Sequence, residues 1–492
     1  MGTQSLKAAK KRSFAKMRKI AIINPPLYFS EGIPHSLDVS VPPLGILYLA
    51  SYINEYSSDL DAMIIDVTET QFSLQQIMER IKELDPFVIG ITSMTAQLQG
   101  AVELAAHLKK QPGFKSKIFL GGPHISGDPD FINRHRDIFD YAITGESEKT
   151  FLDSLRRLLK GEEIPILQHG DIVMELDTIP FPNKKLINRH RYSKYESMIF
   201  SRGCPYDCYY CSRPAVSKKV RYRSASAMVE EIRQVYNLCD GKINFQDDTL
   251  TINRKRILEL CLEIIKSGLN LEWECNTRID LVDEELLARM RQAGCSLIHF
   301  GIESGNEELR KRQIHKGSFS NRQIKDVFGW CHKNGIKIAC YFMIGHPGET
   351  KETLEETKRM ISGSKIDLLG VSIPTPFPGS ELYDISERNG IISKDIIDAF
   401  AEKRLGEGYV GNYPIYVPDG IEREYLFEVM KDINRKFYVN FNTFWKTLRR
   451  DIFSLKNLQK DASDLISLVL NGVSSRKPYK NKKSDARKYA QE

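Results

Sequence analysis

The chain has 492 residues, 41% of them hydrophobic and 27% charged, which indicates a globular protein of two or three domains. No apolar stretch approaches the roughly 20 residues that span a bilayer, and the N-terminus has no apolar segment of the kind found in secretory signals. The net charge of +7 comes from the two ends of the chain: residues 1–19 carry seven basic residues without an acid, and residues 475–492 carry a net +5. The rest of the chain is therefore acidic. No nucleic-acid surface is expected on it.

Residues 18–160 alternate strand-like apolar runs with segments of helical periodicity, which predicts an α/β domain with a doubly wound parallel sheet. Ligands of such sheets bind beyond the carboxyl ends of the strands, where small and polar residues here leave room for a bulky ligand. No G-x-G-x-x-G follows the first strand, so no nicotinamide or flavin dinucleotide is expected. The predicted strands are 18–26, 61–67, 86–93, 117–122 and 141–146. The residues at their ends are Asn24, Pro25, Pro26, Asp66, Thr92, Ser93, Gly121, Gly122, Pro123, His124, Gly145 and Glu146.

Residues 161–195 are predicted to form a linker, because Pro165, Pro180 and Pro182 disfavour both helix and central strand. Residues 196–385 then repeat strand and helix six times. This pattern predicts a partial (β/α)6 barrel of parallel strands with its chemistry at the carboxyl ends of the strands. The predicted strands are 197–201, 242–246, 272–277, 297–303, 336–345 and 368–375.

Residues 386–473 are predicted to form a small, mostly helical C-terminal domain. Its aromatic and basic stretch, residues 437–450, either covers the barrel mouth and contacts an apolar substrate or packs as ordinary core through Phe437, Phe441, Phe444 and Trp445. The basic ends, 1–17 and 474–492, are predicted to be disordered tails. They are either solvated or able to contact an anionic membrane surface or RNA.

Three cysteines, Cys204, Cys208 and Cys211, lie in the run SRGCPYDCYYCSRP after the first barrel strand. Three thiolates on one short loop can hold three irons of a [4Fe–4S] cluster and leave the fourth iron open to a small molecule. A zinc site is the alternative, but zinc favours four protein ligands and no second cysteine pair follows. Disulfides fit less well, because nine cysteines is an odd number and the other six are scattered singly in apolar segments. A cluster and free thiols favour a reducing cytoplasm.

The spacing C-x-x-x-C-x-Tyr-C resembles the signature of radical S-adenosylmethionine (SAM) enzymes. The first domain resembles the cobalamin-binding module of the cobalamin-dependent group of these enzymes, which includes methyltransferases and the anaerobic porphyrin cyclase. The resemblance covers residues 18–385 and rests on several strings in a fixed order, among them PPLGILYLA, GGPHIS, TGESEKTF, FQDDTLT, FGIESGN and YFMIGHPGET. It implies three cofactors, namely a [4Fe–4S] cluster, SAM and cobalamin, and an external electron donor such as flavodoxin or ferredoxin.

The resemblance also implies roles for single residues around SAM. The three cysteines would ligate the cluster, and Tyr210 would lie near the adenine. Asp247 and Asp248 stand where many relatives have a Gly-Gly-Glu run, and an aspartate there can accept hydrogen bonds from the SAM ammonium group.

Further along the barrel, Glu303 and Ser304 would face the ribose or the methionine part of SAM. Gly345 would let the adenine pass close to the backbone. Arg278 would pair with the SAM carboxylate, or would form an ordinary salt bridge to Asp280 or a neighbour.

In the first domain the resemblance implies that cobalamin contacts the ends of the strands. The chain lacks the D-x-H-x-x-G string whose histidine ligates cobalt in methionine-synthase-like modules, so that ligand is not expected. His124 would contact the cofactor, or would cap backbone or fill the core. The implied contact residues are Thr92, Ser93, Gly121, Gly122, His124, Gly145 and Glu146.

The function that this resemblance implies is radical chemistry on a small-molecule or lipid-like substrate. SAM would be cleaved to a 5′-deoxyadenosyl radical, and methylation of an unactivated carbon is the first expectation. Cyclisation, oxidation or carbon–carbon joining, for example on a porphyrin-like substrate, is the second. A tRNA methylthiotransferase is disfavoured because no cysteine precedes Cys204, and a non-catalytic cluster protein is disfavoured by the SAM-pocket strings.

Overall fold

The computed structural model describes the chain in two compact units. The first unit holds the described residues up to Val173 together with Thr178–Tyr192, and the second holds Met174–Asp177 and the described residues from Ser193 onward. The domain limits predicted above remain predictions. The tails (apart from residue 17) and residues 439–473 of the C-terminal domain lie outside the described part. The structure describes residues 17–35, 41–188, 192, 195–212, 217–317, 319–403 and 414–438.

Six parallel strands form the sheet of the first unit, in the order β4-β1-β5-β6-β7-β8. The strand order reverses at β1, which lies between β4 and β5, and ligands of doubly wound sheets bind at such a point. Residues 20–23 of β1 are fully buried, as expected of a strand with both faces covered. The strands are β1 (Arg18–Asn24), β4 (Leu60–Asp66), β5 (Val88–Thr92), β6 (Lys117–Gly121), β7 (Tyr141–Thr144) and β8 (Leu167–His169), with a separate hairpin of β2 (Tyr28–Ser30) and β3 (Ile33–His35).

The helices of the first unit are amphipathic and capped by their sequence. Helix α3 shows both features: Ser73 accepts a hydrogen bond from the Gln76 amide, the Gln76 side chain accepts one from the Ser73 amide, and Leu74, Ile77 and Ile81 are buried on one face. The helices are α1 (Leu44–Tyr56), α2 (Val67–Thr70), α3 (Leu74–Leu84), α4 (Leu98–Lys109), α5 (Pro123–Gly127), α6 (Phe131–Arg134) and α7 (Glu148–Leu159).

Two features of the first unit differ from the sequence prediction. The hairpin β2–β3 was not predicted, and the segment predicted as a linker supplies the edge strand β8. Strand β8 avoids the three prolines that argued against a strand, and three residues are too few to show a period of two.

The second unit confirms the predicted partial barrel. Its six parallel strands follow one another in the order β9-β12-β13-β14-β15-β16. A short antiparallel pair, β10 with β11, closes the loop that carries the three cysteines. The strands are β9 (Glu196–Met198), β10 (Ser201–Arg202), β11 (Arg221–Tyr222), β12 (Lys242–Phe245), β13 (Glu272–Thr277), β14 (Cys295–Glu303), β15 (Lys337–Met343) and β16 (Leu368–Ser372).

Alternate residues of this second sheet face two different surroundings. Trp273, Cys275, Phe300 and Phe342 are at most 1% exposed and pack with the helices in one hydrophobic core. The intervening residues point to the opposite side, which we call the inner face. The inner face is largely polar, with Asn244, Glu274, Asn276, His299, Gly301, Glu303 and Tyr341.

The helices of the second unit include a helical C-terminal region, as predicted. There α16 packs on β16, and the Tyr438 hydroxyl donates a 2.5 Å hydrogen bond to the Leu369 carbonyl. No helix among the described residues is both long and apolar enough to cross a membrane. The helices are α8 (Ala225–Cys239), α9 (Arg254–Ser267), α10 (Glu284–Gln292), α11 (Glu307–Arg312), α12 (Asn321–Lys333), α13 (Lys351–Gly363), α14 (Glu381–Arg388), α15 (Lys394–Ala401) and α16 (Arg423–Tyr438).

Candidate functional site

The cysteine loop begins where β10 ends and is held by its own backbone. The Cys204 amide donates to the Ser217 carbonyl at 3.2 Å, and the Cys211 amide donates to the Cys208 carbonyl at 2.9 Å. Gly203 has a φ of +93°, and a Cβ there would lie 2.2 Å from the Lys219 carbonyl oxygen. The glycine is therefore required both by its backbone angle and by the close approach of the returning chain.

The thiols of this loop are the predicted ligands of the cluster. All three are thiols rather than disulfide partners, and all three are partly exposed. Among the described residues no group of three or more His, Cys, Asp or Glu side chains is arranged to hold a metal ion. A cluster takes one thiolate for each of three irons, so its cysteines need not converge on one point. Burial raises the pKa of the Cys208 thiol, whereas the nearby cations Lys316 and Arg278 favour the thiolate that iron requires.

Tyr210, which is on this loop and half-buried, forms a hydrogen-bonded group with the buried Glu303 and Lys316. The Tyr210 hydroxyl donates to Glu303 Oε1 at 2.8 Å, and Lys316 Nζ lies 3.0 Å from the same oxygen and 3.3 Å from the Tyr210 hydroxyl. Burial alone would lower the pKa of Lys316, but the Glu303 carboxylate and the Cys208 thiolate outweigh it and raise the pKa. The structure thus brings two predicted SAM residues together with a lysine that the sequence analysis missed.

The backbone makes room for this group. Glu303 has a φ of +70°, uncommon for a residue other than glycine, and lies at an irregularity in the pairing of β14 with β15. A Cβ at Gly301 would lie 2.5 Å from Glu303 Oε1 and 2.7 Å from Lys316 Nζ. The strained backbone and the glycine at the end of β14 are features that often accompany a functional site, and the roles predicted there remain predictions.

Arg278 makes the salt bridge that was one of its two predicted roles. Its Nε and Nη2 donate to the two Asp280 oxygens at 2.9 and 2.8 Å, and Nη2 also donates to the Lys316 carbonyl. The guanidinium lies 3.8 Å from the centre of the Tyr206 ring. Its buried Nη1 has no hydrogen-bond partner among the described residues, so contact with the SAM carboxylate stays a prediction.

Asp247 is bound to the backbone that leads into the cysteine loop. Its carboxylate accepts hydrogen bonds from the Phe200 amide at 3.0 Å and from the Ser201 amide and hydroxyl at 2.5 Å each. Burial raises the pKa of Asp247 to about 7. Asp248 is only half-buried, so of the two predicted ammonium partners it has the more accessible side chain.

Ser304 and Gly345, two further predicted SAM residues, have mainly backbone roles. Ser304 is fully buried and its Oγ accepts from the Asn306 amide at 3.2 Å. Gly345 has a φ of +97°, and a Cβ there would lie 3.1 Å from Leu426 Cδ1. The predicted roles of both residues toward SAM remain predictions.

His346 and Glu349 are a second group that the sequence analysis missed. The Tyr209 hydroxyl, on the cysteine loop, lies 2.7 Å from His346 Nδ1. The Gly345 and His346 amides donate to Glu349 Oε2, the latter at 3.1 Å. Burial lowers the pKa of His346 to about 4, so its ring is uncharged near neutral pH, and raises that of Glu349 to about 7. They connect the loop to the end of β15.

In the first unit, polar side chains join the strand ends that flank the switch point. Asn24 donates to Asp66 Oδ1 at 2.9 Å and accepts from Gln97 Nε2 at 2.9 Å, and Tyr192 donates to the other Asp66 oxygen. Burial, followed by the Asp66 carboxylate, raises the pKa of Tyr192. These contacts fix the edge of the sheet where the ligand is expected.

Two of the three glycines at this edge leave open space beside the backbone. A Cβ at Gly121 would meet nothing within 4 Å, and Gly145, with a φ of +72°, meets only one backbone atom at 4.0 Å. Gly122 is the opposite case, because its Cβ would lie 2.7 Å from Thr92 Oγ1 and 2.8 Å from the Ser93 backbone. Glu146 is half-buried beside them.

His124 is 1% exposed and its ring packs edge-on against Phe131 at 5.0 Å. Its Nδ1 lies 3.1 Å from Thr95 Oγ1, and its Nε2 is buried without a partner among the described residues. Burial lowers the pKa of His124 to about 4. These contacts are those of a core histidine, and its contact with a cofactor stays a prediction.

Comparison with known proteins gives a family-model match in each of the two predicted α/β domains. The family model described as the Radical SAM superfamily matches residues 198–361, and the model described as the B12 binding domain matches residues 33–154. The chain is 28% identical to the uncharacterized methyltransferase PH0819 of Pyrococcus horikoshii, over 89% of this chain and 95% of that one. It is 27% identical to the anaerobic magnesium-protoporphyrin IX monomethyl ester cyclase of Rubrivivax gelatinosus, over 81% and 74%.

A solved structure shares the fold. The radical S-adenosylmethionine methyltransferase TsrM from Kitasatospora setae, with cobalamin and a [4Fe–4S] cluster bound, superposes with a TM-score of 0.62. The two chains are 15% identical, and the match covers 76% of each.

Proposed function

Since the chain belongs to the cobalamin-dependent radical SAM enzymes, which use a [4Fe–4S] cluster, SAM and cobalamin, we propose that it methylates an unactivated carbon of a small molecule. The observation that carries the proposal is the cysteine loop beside the Tyr210–Glu303–Lys316 group at the carboxyl ends of the barrel strands. Cys204, Cys208 and Cys211 would hold the cluster, and the strand ends of the first unit would hold cobalamin.

When bound, the cluster would supply the electron for cleavage of SAM, and cobalamin would supply a carrier for the methyl group. The side chains of the protein position the cysteine loop and neutralise the charge of its thiolates. Lys316 and Arg278 stabilise negative charge on the thiolates, and Glu303 presents one oxygen that already accepts from Tyr210. Asp247 and His346 hold the two ends of the cysteine loop against strands β9, β12 and β15, so the thiolates are ordered before the cluster binds.

The relatives support methyl transfer more than the alternative. The relative from Pyrococcus horikoshii, which matches 89% of this chain, is named a methyltransferase. Cyclisation is the second candidate, because the cyclase of Rubrivivax gelatinosus matches 81% of this chain. The substrate would be a small molecule. An external one-electron donor in the reducing cytoplasm would supply electrons to the cluster.

The test uses the full chain, reconstituted anaerobically with iron, sulfide and cobalamin, and given dithionite and SAM with a trideuterated methyl group. A small-molecule extract supplies candidate substrates. We expect 5′-deoxyadenosine and at least one product that carries the trideuteromethyl group on carbon. A Cys208→Ala variant should give neither. The production of 5′-deoxyadenosine with ring closure or oxidation and no labelled methyl group would favour the second candidate.

A further inference from the structure

Three side chains on neighbouring strands form a row on the inner face of the second sheet, and the proposed function uses none of them. Tyr341 on β15 places its hydroxyl 3.1 Å from His299 Nδ1 on β14. His299 Nε2 lies 3.6 Å from Glu274 Oε2 on β13. The His299 and Tyr341 rings are nearly parallel, with 11° between their planes and 5.9 Å between their centres. The histidine therefore contacts both the tyrosine and the glutamate.

Two glycines shape the surroundings of this row. A Cβ at Gly370, the partner of Tyr341 on β16, would lie 2.6 Å from Tyr341 Cδ1, so the ring lies against a position without a side chain. On the other side Tyr341 pairs with Gly301, whose Cβ would touch Glu303 Oε1 and Lys316 Nζ. Since adjacent strands are about 4.8 Å apart, the Tyr341 backbone lies one strand spacing from Gly301, the position that faces this group.

Exposure differs along the row. The Glu274 and His299 side chains are only 14% and 17% exposed, whereas Tyr341 is 46% exposed. A large ring in the middle of a central parallel strand is ordinarily buried. The inner two members are therefore screened, and the tyrosine at the end of the row is accessible to a ligand.

The chemistry of the row gives it a direction. When His299 is neutral with its hydrogen on Nε2, the nitrogen that lies 3.6 Å from Glu274, its Nδ1 is left as an acceptor. The Tyr341 hydroxyl then donates to Nδ1, and its oxygen keeps free lone pairs on the accessible side. Donation to the imidazole makes that oxygen a better acceptor, because hydrogen bonds in a chain polarise one another.

We propose that Tyr341 binds the substrate by accepting a hydrogen bond from a substrate hydroxyl or N–H group, with His299 and Glu274 as positioning residues behind it. This inference rests on the proposed function, because it names the class of molecule that the same barrel takes. The substrate then carries a hydroxyl or N–H group near the carbon that is methylated.

The first experiment compares variants in the trideuteromethyl assay with extract. Tyr341→Phe should transfer the methyl group at least tenfold more slowly than the wild type. Gly370→Ala keeps the hydroxyl but displaces the ring, and should lose transfer similarly. Tyr236→Phe is the matched control, since the Tyr236 hydroxyl bonds to the Asn270 carbonyl on the helical side. Transfer by Tyr341→Phe at the wild-type rate, or a product without a hydroxyl or N–H group, overturns the proposal.

The second experiment needs no substrate. Saturation-transfer NMR on the full chain compares benzyl alcohol with benzyl methyl ether, which lacks the donor. The alcohol signal should exceed the ether signal in the wild type and in Tyr236→Phe and fall to the ether level in Tyr341→Phe. An alcohol signal independent of Tyr341 overturns the inference. A Tyr341-dependent signal in a protein that labels no extract would instead reject the proposed function and retain the binding site.

Discussion

At the scale of single residues, Lys316 has the central electrostatic role in the site. It is a buried cation between the Glu303 carboxylate and the Cys208 thiol. Removal of one partner from a buried pair is costly because the other charge is left unpaired, by about 3–5 kcal/mol.

Lys316→Met should therefore lower 5′-deoxyadenosine formation at least tenfold, since Glu303 and the cluster thiolates lose their cation. High-performance liquid chromatography of the reconstituted enzyme measures this rate. Lys333→Met removes a lysine from the exposed pair with Glu284, worth at most about 1 kcal/mol, and should act as wild type. Equal rates of 5′-deoxyadenosine formation in the wild type and both variants would show that Lys316 has no such role.

Glu349 gives a pH dependence whose sign can be worked out. Burial raises its pKa in the folded protein from 4.5 to about 7, although the Gly345 and His346 amides oppose the shift. A raised folded pKa contributes stability that is present below pH 4.5 and is lost as pH rises through about 7. Its Oε1 has no partner among the described residues.

Glu349→Gln keeps the oxygen that the two amides need and stays uncharged. We expect the apoprotein variant to match the wild type in urea midpoint at pH 5 and to exceed it at pH 8, by roughly 1–3 kcal/mol in free energy of unfolding. Glu352→Gln, at a carboxylate in solvent, is the control and should not show this gain. A gain for Glu349→Gln that is the same at both pH values would contradict the assignment.

At the scale of elements, the cysteine loop depends on a tight backbone approach at Gly203. An alanine there must adopt a φ of +93° and place its Cβ 2.2 Å from the Lys219 carbonyl oxygen. Gly268 is a matched control, because it also has a positive φ, +68°, but no atom lies within 4 Å of its Cβ.

Gly203→Ala should hold less than a tenth of the wild-type iron after reconstitution, whereas Gly268→Ala should hold the full amount and lose only about 1 kcal/mol of stability. Iron and sulfide analysis per chain measures the effect. Full cluster loading in Gly203→Ala would contradict this prediction, because the loop would then accept a Cβ at residue 203.

The same scale shows what the sequence could predict. Strands such as β1 and β14 are long, buried and bounded by turn residues, so their periodicity and composition identify them. Strands β8, β10 and β11 have two or three residues and are defined by pairing partners, which no local pattern reveals.

For the site, the cysteines could be found because their chemistry depends on spacing within one loop. Lys316 and His346 could not, since each gains its role from a contact more than a hundred residues away, with Tyr210 and Tyr209 respectively. Tyr341 likewise depends on register between strands.

At the scale of the whole molecule, the two units have separate hydrophobic cores, and the groups expected to hold cobalamin and the cluster lie in different units. We therefore expect the two cofactors to load independently. Cys208→Ala should bind a full equivalent of corrinoid, seen in its visible absorbance, and no cluster.

The reciprocal variant is Gly122→Ala, which forces a Cβ to within 2.7 Å of Thr92 Oγ1. It should lose corrinoid and keep the full iron content. Loss of both cofactors in either variant, with the protein still folded by circular dichroism, would contradict independent loading.

The central claim is that the three thiolates leave one iron of the cluster open for SAM. Electron paramagnetic resonance of the dithionite-reduced, anaerobically reconstituted full chain tests it most directly. The account predicts a [4Fe–4S] signal whose g-values shift when SAM is added, and no such signal in Cys208→Ala. A signal that SAM leaves unchanged, or a protein that takes up zinc at this loop instead of iron, would contradict it.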